Sequence, residues 1–362
     1  MDTKHSKAPA QPGLNTAPGR PRKSLLTRQQ PPPDEASDSL TSEQKVSTPF
    51  QDSLRQLRRD RRAMVSVAII LFFLLLPLFG PPLYQHIGGA ITSTTGDRID
   101  ATVYRSPFHQ ELGRQYEGSS STYWLGTDAI GRDLLARLMQ GLLISISIAI
   151  IVEVIDIVMG ISIGVLAGYY GGWLDQFLAR FTDVMFAFPG LLFAILLTGI
   201  LGAQADVVFN KLPLVGANGN ARLLLVSMAL AMTTWPLMAR YVRGQTLQLK
   251  QQQFVEAART AGSSNTTIIL RHIIPNLFSI VVVASTLNMA GTIIGEASLS
   301  FLGLGVQPPG SSIGLMINDA LGVADTKPWQ VLFPAIVLAL IVVAFSFLGD
   351  GLRDAFDPRS KD

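Results

Sequence analysis

Six stretches of this sequence are so apolar that they predict membrane-spanning helices. They lie at 63–80, 141–169, 184–201, 223–239, 277–304 and 331–348. A run of about 20 apolar residues is what a helix needs to cross the hydrocarbon core. Because backbone polar groups find no water inside a bilayer, only helices or closed barrels can span it. The chain is therefore predicted to be an all-α polytopic membrane protein with six transmembrane helices.

The composition supports this prediction and excludes several classes of protein. Hydrophobic residues make up 48% of the chain and charged residues 15%, with a mean hydropathy of +0.34, whereas about 25% charged residues is usual in soluble proteins. The sequence contains no cysteine and four histidines. A disulfide framework, a thiolate metal site and a cysteine nucleophile are excluded. We therefore expect no metal site and no cofactor on this chain.

Basic residues indicate which ends of the spans face the cytoplasm. Five arginines precede the first span: Arg55, Arg58, Arg59, Arg61 and Arg62. The outer loops after the third and fifth spans hold only three basic residues: Lys211, Arg222 and Lys327. Because positive charge is retained on the cytoplasmic side, we expect both termini to be cytoplasmic. The net charge of +3 then reflects topology and does not indicate nucleic-acid binding.

The segment 254–275 lies between two spans, on the predicted cytoplasmic side, and is polar enough to lie in water. Its first part has small or apolar residues at helical spacing: Phe254, Ala257, Ala258 and Ala261. This pattern predicts a short helix with an alanine face. Gly262, which readily adopts positive φ, is expected to end that helix.

A second short helix is predicted after this hinge. Ser263, Ser264 or Asn265 can cap its beginning. Ile269 and Ile273 lie on one side of it. We expect it to stop at Pro275, because proline removes a backbone donor.

Three acidic residues lie within the predicted spans: Glu153, Asp156 and Glu296. Acids at membrane depth are costly and mark functional candidates. Two roles are open for them: they can line a translocation path, or they can bond to Ser or Asn on a neighbouring helix. The spacing of Glu153 and Asp156 places both on one side of the same helix.

Glycine spacing predicts how the spans pack. Gly160, Gly164 and Gly168 form a small-residue face on the second span, and Gly291 and Gly295 form another on the fifth. The letters GISIG at 160–164 match GxSxG, but a membrane helix lacks the strand–turn–helix context of a hydrolase. We also expect 170–183 to be a short cytosolic turn and the third span to be kinked at Pro189.

The segment 124–137 (WLGTDAIGRDLLAR) ends the loop between the first two spans. Two glycines, Gly126 and Gly131, predict a tight turn there. Asp128, Arg132 and Asp133 are expected to form a charged network at the membrane face. A structural clamp between the loop and the span is favoured over direct contact with substrate, because charge clusters of this kind are usually structural.

Five motifs, in order along residues 52–359, together resemble one family. Glu256-Ala257-Ala258, followed by Gly262 and by HIIPN at 272–276, resembles the EAA loop of permease subunits of ABC importers. The other four resemble motifs of the C-type permease of dipeptide, oligopeptide and nickel importers: LGTDAIGRDLLAR at 125–137, GYYGGWLD at 168–175, EASLSFLGLGVQPP at 296–309 and GDGLRDAFDPR at 349–359. The sequence departs from the family pattern at His272, Ala136 and Ile313.

The resemblance implies a type I ABC importer permease fold and a set of partners. A second permease subunit completes the path, two cytosolic ATPases bind ATP and Mg²⁺, and an extracytoplasmic binding protein delivers the substrate. The chain has no GxxxxGK[ST] sequence, so it has no P-loop of its own, and we expect it not to be an enzyme. The implied cargo is a dipeptide or oligopeptide, with a nickel complex or another solute as the alternative, and the implied location is the plasma (inner) membrane.

The resemblance also assigns residues to roles. It makes the loop 245–275 the element that couples the permease to the ATPase, through five residues: Glu256, Ala257, Ala258, Arg259 and Gly262. The expected division of the chain is a disordered cytosolic tail at 1–50, a lead-in helix, first span and outer loop at 51–137, a five-helix transport domain at 138–350, and a tail at 351–362.

Two other classes of protein stay open. A stand-alone secondary transporter would use Glu153, Asp156 and Glu296 as proton or ion sites. A membrane enzyme is disfavoured, because the sequence contains no HExxH motif and no cysteine.

Overall fold

The computed structural model describes residues 49–209, 211 and 221–356. The helices are α1 Pro49–Arg59, α2 Arg61–Ile87, α3 Ala101–Tyr104, α4 Leu134–Tyr170, α5 Gly172–Ala187, α6 Gly190–Phe209, α7 Ala221–Leu249, α8 Gln253–Thr260, α9 Asn265–Ile268, α10 Ile274–Phe301, α11 Ile313–Ala320 and α12 Trp329–Phe356. A small antiparallel pair, β1 Ile91–Thr92 and β2 Arg98–Ile99, lies in the loop after α2. The tail predicted at 1–50 lies outside the described residues, except that its last two belong to α1.

Six helices are long and apolar enough to cross a membrane, which confirms the predicted number of spans. They are longer than the apolar runs alone: α4 spans 37 residues and α7 spans 29. The carboxylate of Asp133 sets the beginning of α4 by accepting a hydrogen bond of 2.9 Å from the backbone N–H of Ala136. The helices extend beyond the apolar runs because polar residues at their ends can keep the same i to i−4 backbone hydrogen bonds outside the membrane.

The prediction of a turn at 170–183 was wrong, because that segment forms α5. The third span is α6, which begins at Gly190, so the predicted kink at Pro189 inside this span was also wrong. Phe188 is extended, with φ −75° and ψ 132°, which is the conformation favoured before proline. The chain therefore breaks at 188–189 into α5 and α6.

Glycines of α4 bring α7 close, as predicted. A Cβ added at Gly164 would lie 2.7 Å from the carbonyl oxygen of Ala239, and one at Gly168 would lie 2.9 Å from that of Arg243. The prediction for α10 was half wrong. A Cβ added at Gly295 would lie 3.1 Å from Cδ2 of Leu230, but one added at Gly291 would meet no atom of the described residues within 4 Å.

The helices share buried apolar clusters at different depths. One joins α4, α6, α7 and α10 around Val152, Ala194 and Val226. A second joins α2, α4, α10 and α12. The third lies at the end of the bundle that carries α8 and α9, and it supports the loop described next.

Candidate functional sites

The loop predicted as a hinged pair of helices begins with α8. Gly262 has φ +80°, and the N–H of Ser263 donates to the carbonyl oxygen of Ala258 at 3.0 Å, so the helix closes in the manner of a glycine C-cap. Ser264 caps α9, because its hydroxyl accepts from the N–H of Thr267 at 3.3 Å. The predicted end of the first helix at Gly262, with positive φ, is thus confirmed.

One row of this loop is buried and the opposite row is exposed. Val255 and Ile268 are fully buried in the cluster that also contains Val242. The exposed row consists of Phe254, Glu256, Ala257, Arg259 and Ala261, while Ala258 is half-buried. Among the described residues, the carboxylate of Glu256 has no hydrogen-bond or ion-pair partner. The loop is therefore a rigid knob that leaves a small-residue face uncovered.

Polar contacts attach the knob to the end of α4. The hydroxyl of Tyr169 donates to Oδ1 of Asn265 at 2.9 Å. The ammonium group of Lys250 donates to the carbonyl oxygens of Gly168 and Tyr169 at 3.2 and 3.1 Å, which are acceptors at the end of that helix. These contacts join α9 and the residue Lys250, which precedes α8, to the end of α4.

A second attachment joins α5 to α7. Asp175 accepts two hydrogen bonds from Arg243, of 2.5 and 2.9 Å, and this bidentate pair lowers the pKa of Asp175. This pair was not predicted from the sequence. Its only signal was the aspartate of the GYYGGWLD motif.

The second helix of the loop was predicted to stop at Pro275, but it continues past this residue. Ile269–Ile273 form a π-helical turn, and Pro275 then lies in the first turn of α10. The first turn of a helix tolerates proline, whose missing N–H has no partner there. The wider π turn lets one continuous rod run from Asn265 to Phe301, and this rod joins the knob directly to the fifth span.

The signature at 124–137 folds as a tight turn. Gly126 and Gly131 have φ +85° and +75°, and an added Cβ would collide with the carbonyl oxygens of Glu117 and Glu111 respectively. Both positions therefore require glycine for conformation and for space. The tight turn is confirmed.

The charged network differs from the predicted one. The carboxylate of Asp128 accepts from Nε of Arg132 at 2.7 Å and from Nη1 of Arg137 at 2.6 Å. Arg137 also donates to Asp319 on α11 at 2.9 Å. Arg137 and Asp319 were not predicted as members of the network, because nothing local in the sequence indicates a contact across 182 residues.

Asp133 does not join this network. It caps α4 and also accepts from the hydroxyl of Tyr84 on α2 at 2.8 Å. Burial raises the pKa of Asp133 to about 6, although these hydrogen bonds oppose the rise. The guanidinium of Arg105 lies 4.1 Å from the centre of the Tyr84 ring and donates to the carbonyl oxygen of Tyr84 at 2.7 Å. The outer loop, α2 and α4 are therefore locked together.

The outer loop has its own buried acid, Glu111. Burial raises its pKa, but hydrogen bonds from Thr94, Ser93 and His109 outweigh burial and lower the pKa to about 2. The hydroxyl of Ser93 lies 2.9 Å from both carboxylate oxygens. Glu111 was not among the predicted site residues.

The three predicted intramembrane acids are all buried and all contact a neighbouring helix. The side-chain amide of Asn288 on α10 donates to Glu153 at 3.0 Å and to Asp156 at 2.8 Å. Glu296 accepts from Ser145 of α4 at 2.6 Å and from Ser300 at 2.7 Å. These contacts join α4 to α10. Within the described residues, no group of acids and histidines is arranged to hold a metal ion.

Comparisons with known proteins agree with the motifs. Residues 160–362 match the family described as binding-protein-dependent transport system inner membrane component. Residues 48–92 match the N-terminal TM domain of oligopeptide transport permease C.

Characterised relatives cover nearly the whole chain. The glutathione transport system permease protein GsiD of Salmonella paratyphi A is 39% identical over 87% of this chain and 92% of its own length. The protein of the same name from Escherichia coli O6:K15:H31 is 36% identical over 89% and 94% respectively.

Among solved structures, an inward-facing MetNI methionine ABC transporter aligns with a TM-score of 0.47 at 17% identity. It covers 60% of this chain and 96% of that one. From the match over 160–362 and the identity to these relatives, the chain belongs to the binding-protein-dependent transport system inner membrane component family, the permease subunits of ABC importers.

Proposed function

We propose that this permease imports peptides and forms half of their path through the membrane. The relatives named above are glutathione permeases, and glutathione is a small peptide. The match at residues 48–92 to an oligopeptide permease domain supports the same class of substrate. Dipeptides and oligopeptides are thus the proposed cargo, delivered by an extracytoplasmic binding protein.

The remaining subunits follow from this role. A second permease, related to this chain but distinct from it, completes the path, and two cytosolic ATPases bind ATP and Mg²⁺. This chain then provides the path and the mechanical connection, with no catalytic residue. We also propose the division at 137/138 between the lead-in region and the transport domain, with both termini in the cytoplasm.

One observation carries the proposed coupling role: the knob is anchored on one face and uncovered on the other. Val255, Tyr169 and Lys250 fix it to the end of α4. Phe254, Glu256 and Ala257 leave a surface that a partner can approach closely. The rod from Asn265 to Phe301 would carry movement of the ATPase into the membrane.

The charge reversal Glu256→Arg tests this role. Because the side chain is exposed, we expect the helices to fold normally while the ATPase is lost from the complex. The measurement is mass identification of proteins that co-purify with the tagged chain, together with uptake of a labelled peptide, which we expect to fall at least tenfold. Asp325→Arg, an equally exposed charge reversal in another loop, is the control. Normal uptake by Glu256→Arg would contradict the coupling role.

The cargo is tested separately. In cells that lack the native chain, wild-type protein and its partners are supplied, and uptake of glutathione, a dipeptide, a pentapeptide and a nickel complex is compared. We expect peptide uptake to depend on the chain. Uptake of the nickel complex alone would contradict the peptide proposal and leave the permease assignment intact.

Of the two roles open for the buried acids, their contacts favour hydrogen bonds to a neighbouring helix. Glu153, Asp156 and Glu296 each accept hydrogen bonds across the α4–α10 contact. We propose that they hold α10 against α4, and that Gly126, Asp128, Gly131, Arg132 and Asp133 clamp the outer loop. The other role, in which the three acids line the translocation path, stays a prediction. It would require a state of the permease in which α10 separates from α4.

A further inference from the structure

The arginines before the first span lie on a folded surface. All five side chains are exposed: Arg55, Arg58, Arg59, Arg61 and Arg62. Asp60 separates α1 from α2, with extended backbone angles of φ −78° and ψ 108° and a 2.8 Å hydrogen bond from the N–H of Arg62. The arginines of α1 are thus presented by a helix distinct from the span.

The opposite side of α1 is fixed to the end of α12. The side-chain amide of Gln56 donates to the carbonyl oxygen of Asp354 at 3.3 Å. A Cβ added at Gly351 would lie 2.6 Å from Cβ of Ala63 and 3.5 Å from Cδ1 of Leu57. The arginines are not needed for this packing, so they are free to bind something else.

The positive charge of these arginines is not neutralised by any acid in the described part of the chain. Among the side chains that the structure describes, none of the five guanidinium groups forms an ion pair. Elsewhere in the chain, arginines such as Arg137 and Arg243 each pair with an aspartate. A concentrated, unpaired positive charge is therefore a specific property of this surface.

The neighbouring residues indicate the kind of partner. Met64 and Val65, in the first turns of α2, are 40% and 59% exposed, and Leu54 of α1 is 41% exposed. The arginines thus lie where the apolar part of the span begins, at the level of lipid headgroups. Guanidinium groups match phosphate in shape and charge, and basic clusters beside a span attract anionic lipids.

We propose that the outer face of α1 and the start of α2 bind the headgroups of anionic phospholipids. This role goes beyond the proposed transport function, and only the choice of leaflet rests on the proposed topology. Lipid bound here would contact α1 and the start of α2 together, on the side of α1 opposite to its contact with α12.

Native mass spectrometry of the full-length chain in detergent tests the proposal, with phosphatidylglycerol and phosphatidylcholine as probes. The variant Arg55→Gln/Arg58→Gln/Arg59→Gln leaves Arg61 and Arg62 to set topology. The control Arg180→Gln/Arg271→Gln/Arg353→Gln removes the same charge from exposed arginines scattered over other elements. Each arginine near an anionic surface contributes about 1 kcal/mol, or roughly fivefold in affinity, so we expect the α1 variant to bind phosphatidylglycerol at least tenfold more weakly.

The control variant is expected to bind phosphatidylglycerol like the wild type, and phosphatidylcholine binding is expected to be equal in all three proteins. Raising the salt concentration should release phosphatidylglycerol from the wild type, a readout that does not depend on the folding of any variant. Equal loss in both variants, or no loss in either, would overturn the proposal. Displacement of the lipid by soluble glycerol phosphate would show a phosphate site and not a membrane surface. Retention of lipid by the α1 variant, together with loss of the ATPase when the tagged variant is co-purified from cells, would show a protein contact instead.

Discussion

At the scale of single residues, the conformation of Gly262 decides the geometry of the knob. Its φ of +80° is a region that residues with a branched Cβ rarely enter. An added Cβ would meet no atom of the described residues within 4 Å. The requirement for glycine at this position is therefore conformational and not steric.

We expect Gly262→Val to destabilise the hinge by about 1–2 kcal/mol and to uncouple the ATPase from transport. Gly262→Asn is the matched control, because asparagine adopts positive φ more readily. The measurement is ATPase activity of the reconstituted complex stimulated by the binding protein. Wild-type coupling in Gly262→Val would show that the hinge does not matter.

Asp133 gives the outer clamp a predicted dependence on pH. Burial raises its pKa from 3.8 to about 6, so the folded state binds this proton more tightly than the unfolded state does. Its contribution to the free energy of unfolding is then largest below about pH 4 and is lost as the pH rises through 6. The groups that oppose the rise in pKa are the backbone N–H of Ala136, the hydroxyl of Tyr84, the backbone N–H of Leu135 and the charge of Arg105.

We expect Asp133→Asn to remove this slope and keep the helix cap, because asparagine is also a good N-cap residue. Relative to the wild type, the variant should gain up to about 3 kcal/mol between pH 4 and pH 7. The measurement is the thermal unfolding midpoint of the purified chain across that range. Glu111 titrates near pH 2 and is unchanged in both proteins. Parallel pH profiles for the two proteins would contradict the assignment.

At the scale of helices, the close contact between α4 and α7 depends on glycines of α4, which have no side chain. The added Cβ at Gly164 would lie 2.7 Å from a backbone oxygen, so one helix has to move. Alanine is intrinsically better than glycine in a helix by about 1 kcal/mol. Packing and propensity therefore act in opposite directions at this position.

We expect Gly164→Ala to lower the free energy of unfolding by about 1–3 kcal/mol, because overpacking outweighs propensity. Gly291→Ala is the control on α10, where the added methyl group has open space, and it should be neutral or slightly stabilising. Thermal unfolding of the purified chain in detergent compares the two. Equal effects at both positions would show that close packing of α4 on α7 is not needed.

At the scale of the whole molecule, continuous helices and side-chain contacts connect the knob, the spans and the outer clamp. The rod from Asn265 to Phe301 begins in the knob, and its far part contacts α4 through Glu296. The native chain contains no cysteine, so single introduced cysteines report the orientation without background.

We expect Ser119→Cys, in the outer loop, to react with a membrane-impermeant maleimide in intact cells. Thr266→Cys, on α9, should react only after lysis, and so should Ser360→Cys near the C-terminus. Both Ser119 and Thr266 are exposed, so a difference between them reports the side of the membrane. The reverse pattern would overturn the proposed orientation and remove the knob from the compartment that contains ATP.

The sequence by itself determined the features that depend on local chemistry. Apolar runs predict six spans because lipid admits no unsatisfied backbone, and Gly262, Gly126 and Gly131 predict their turns because only glycine adopts positive φ freely. Only the tertiary structure decided which side chains meet across the chain. Asp128 pairs with Arg137, Arg137 reaches Asp319, and Asn288 binds both Glu153 and Asp156. The sequence alone also left open what each proline does, since proline permits either the start or the end of a helix: Pro275 lies in the first turn of α10, whereas the chain breaks before α6 at Pro189.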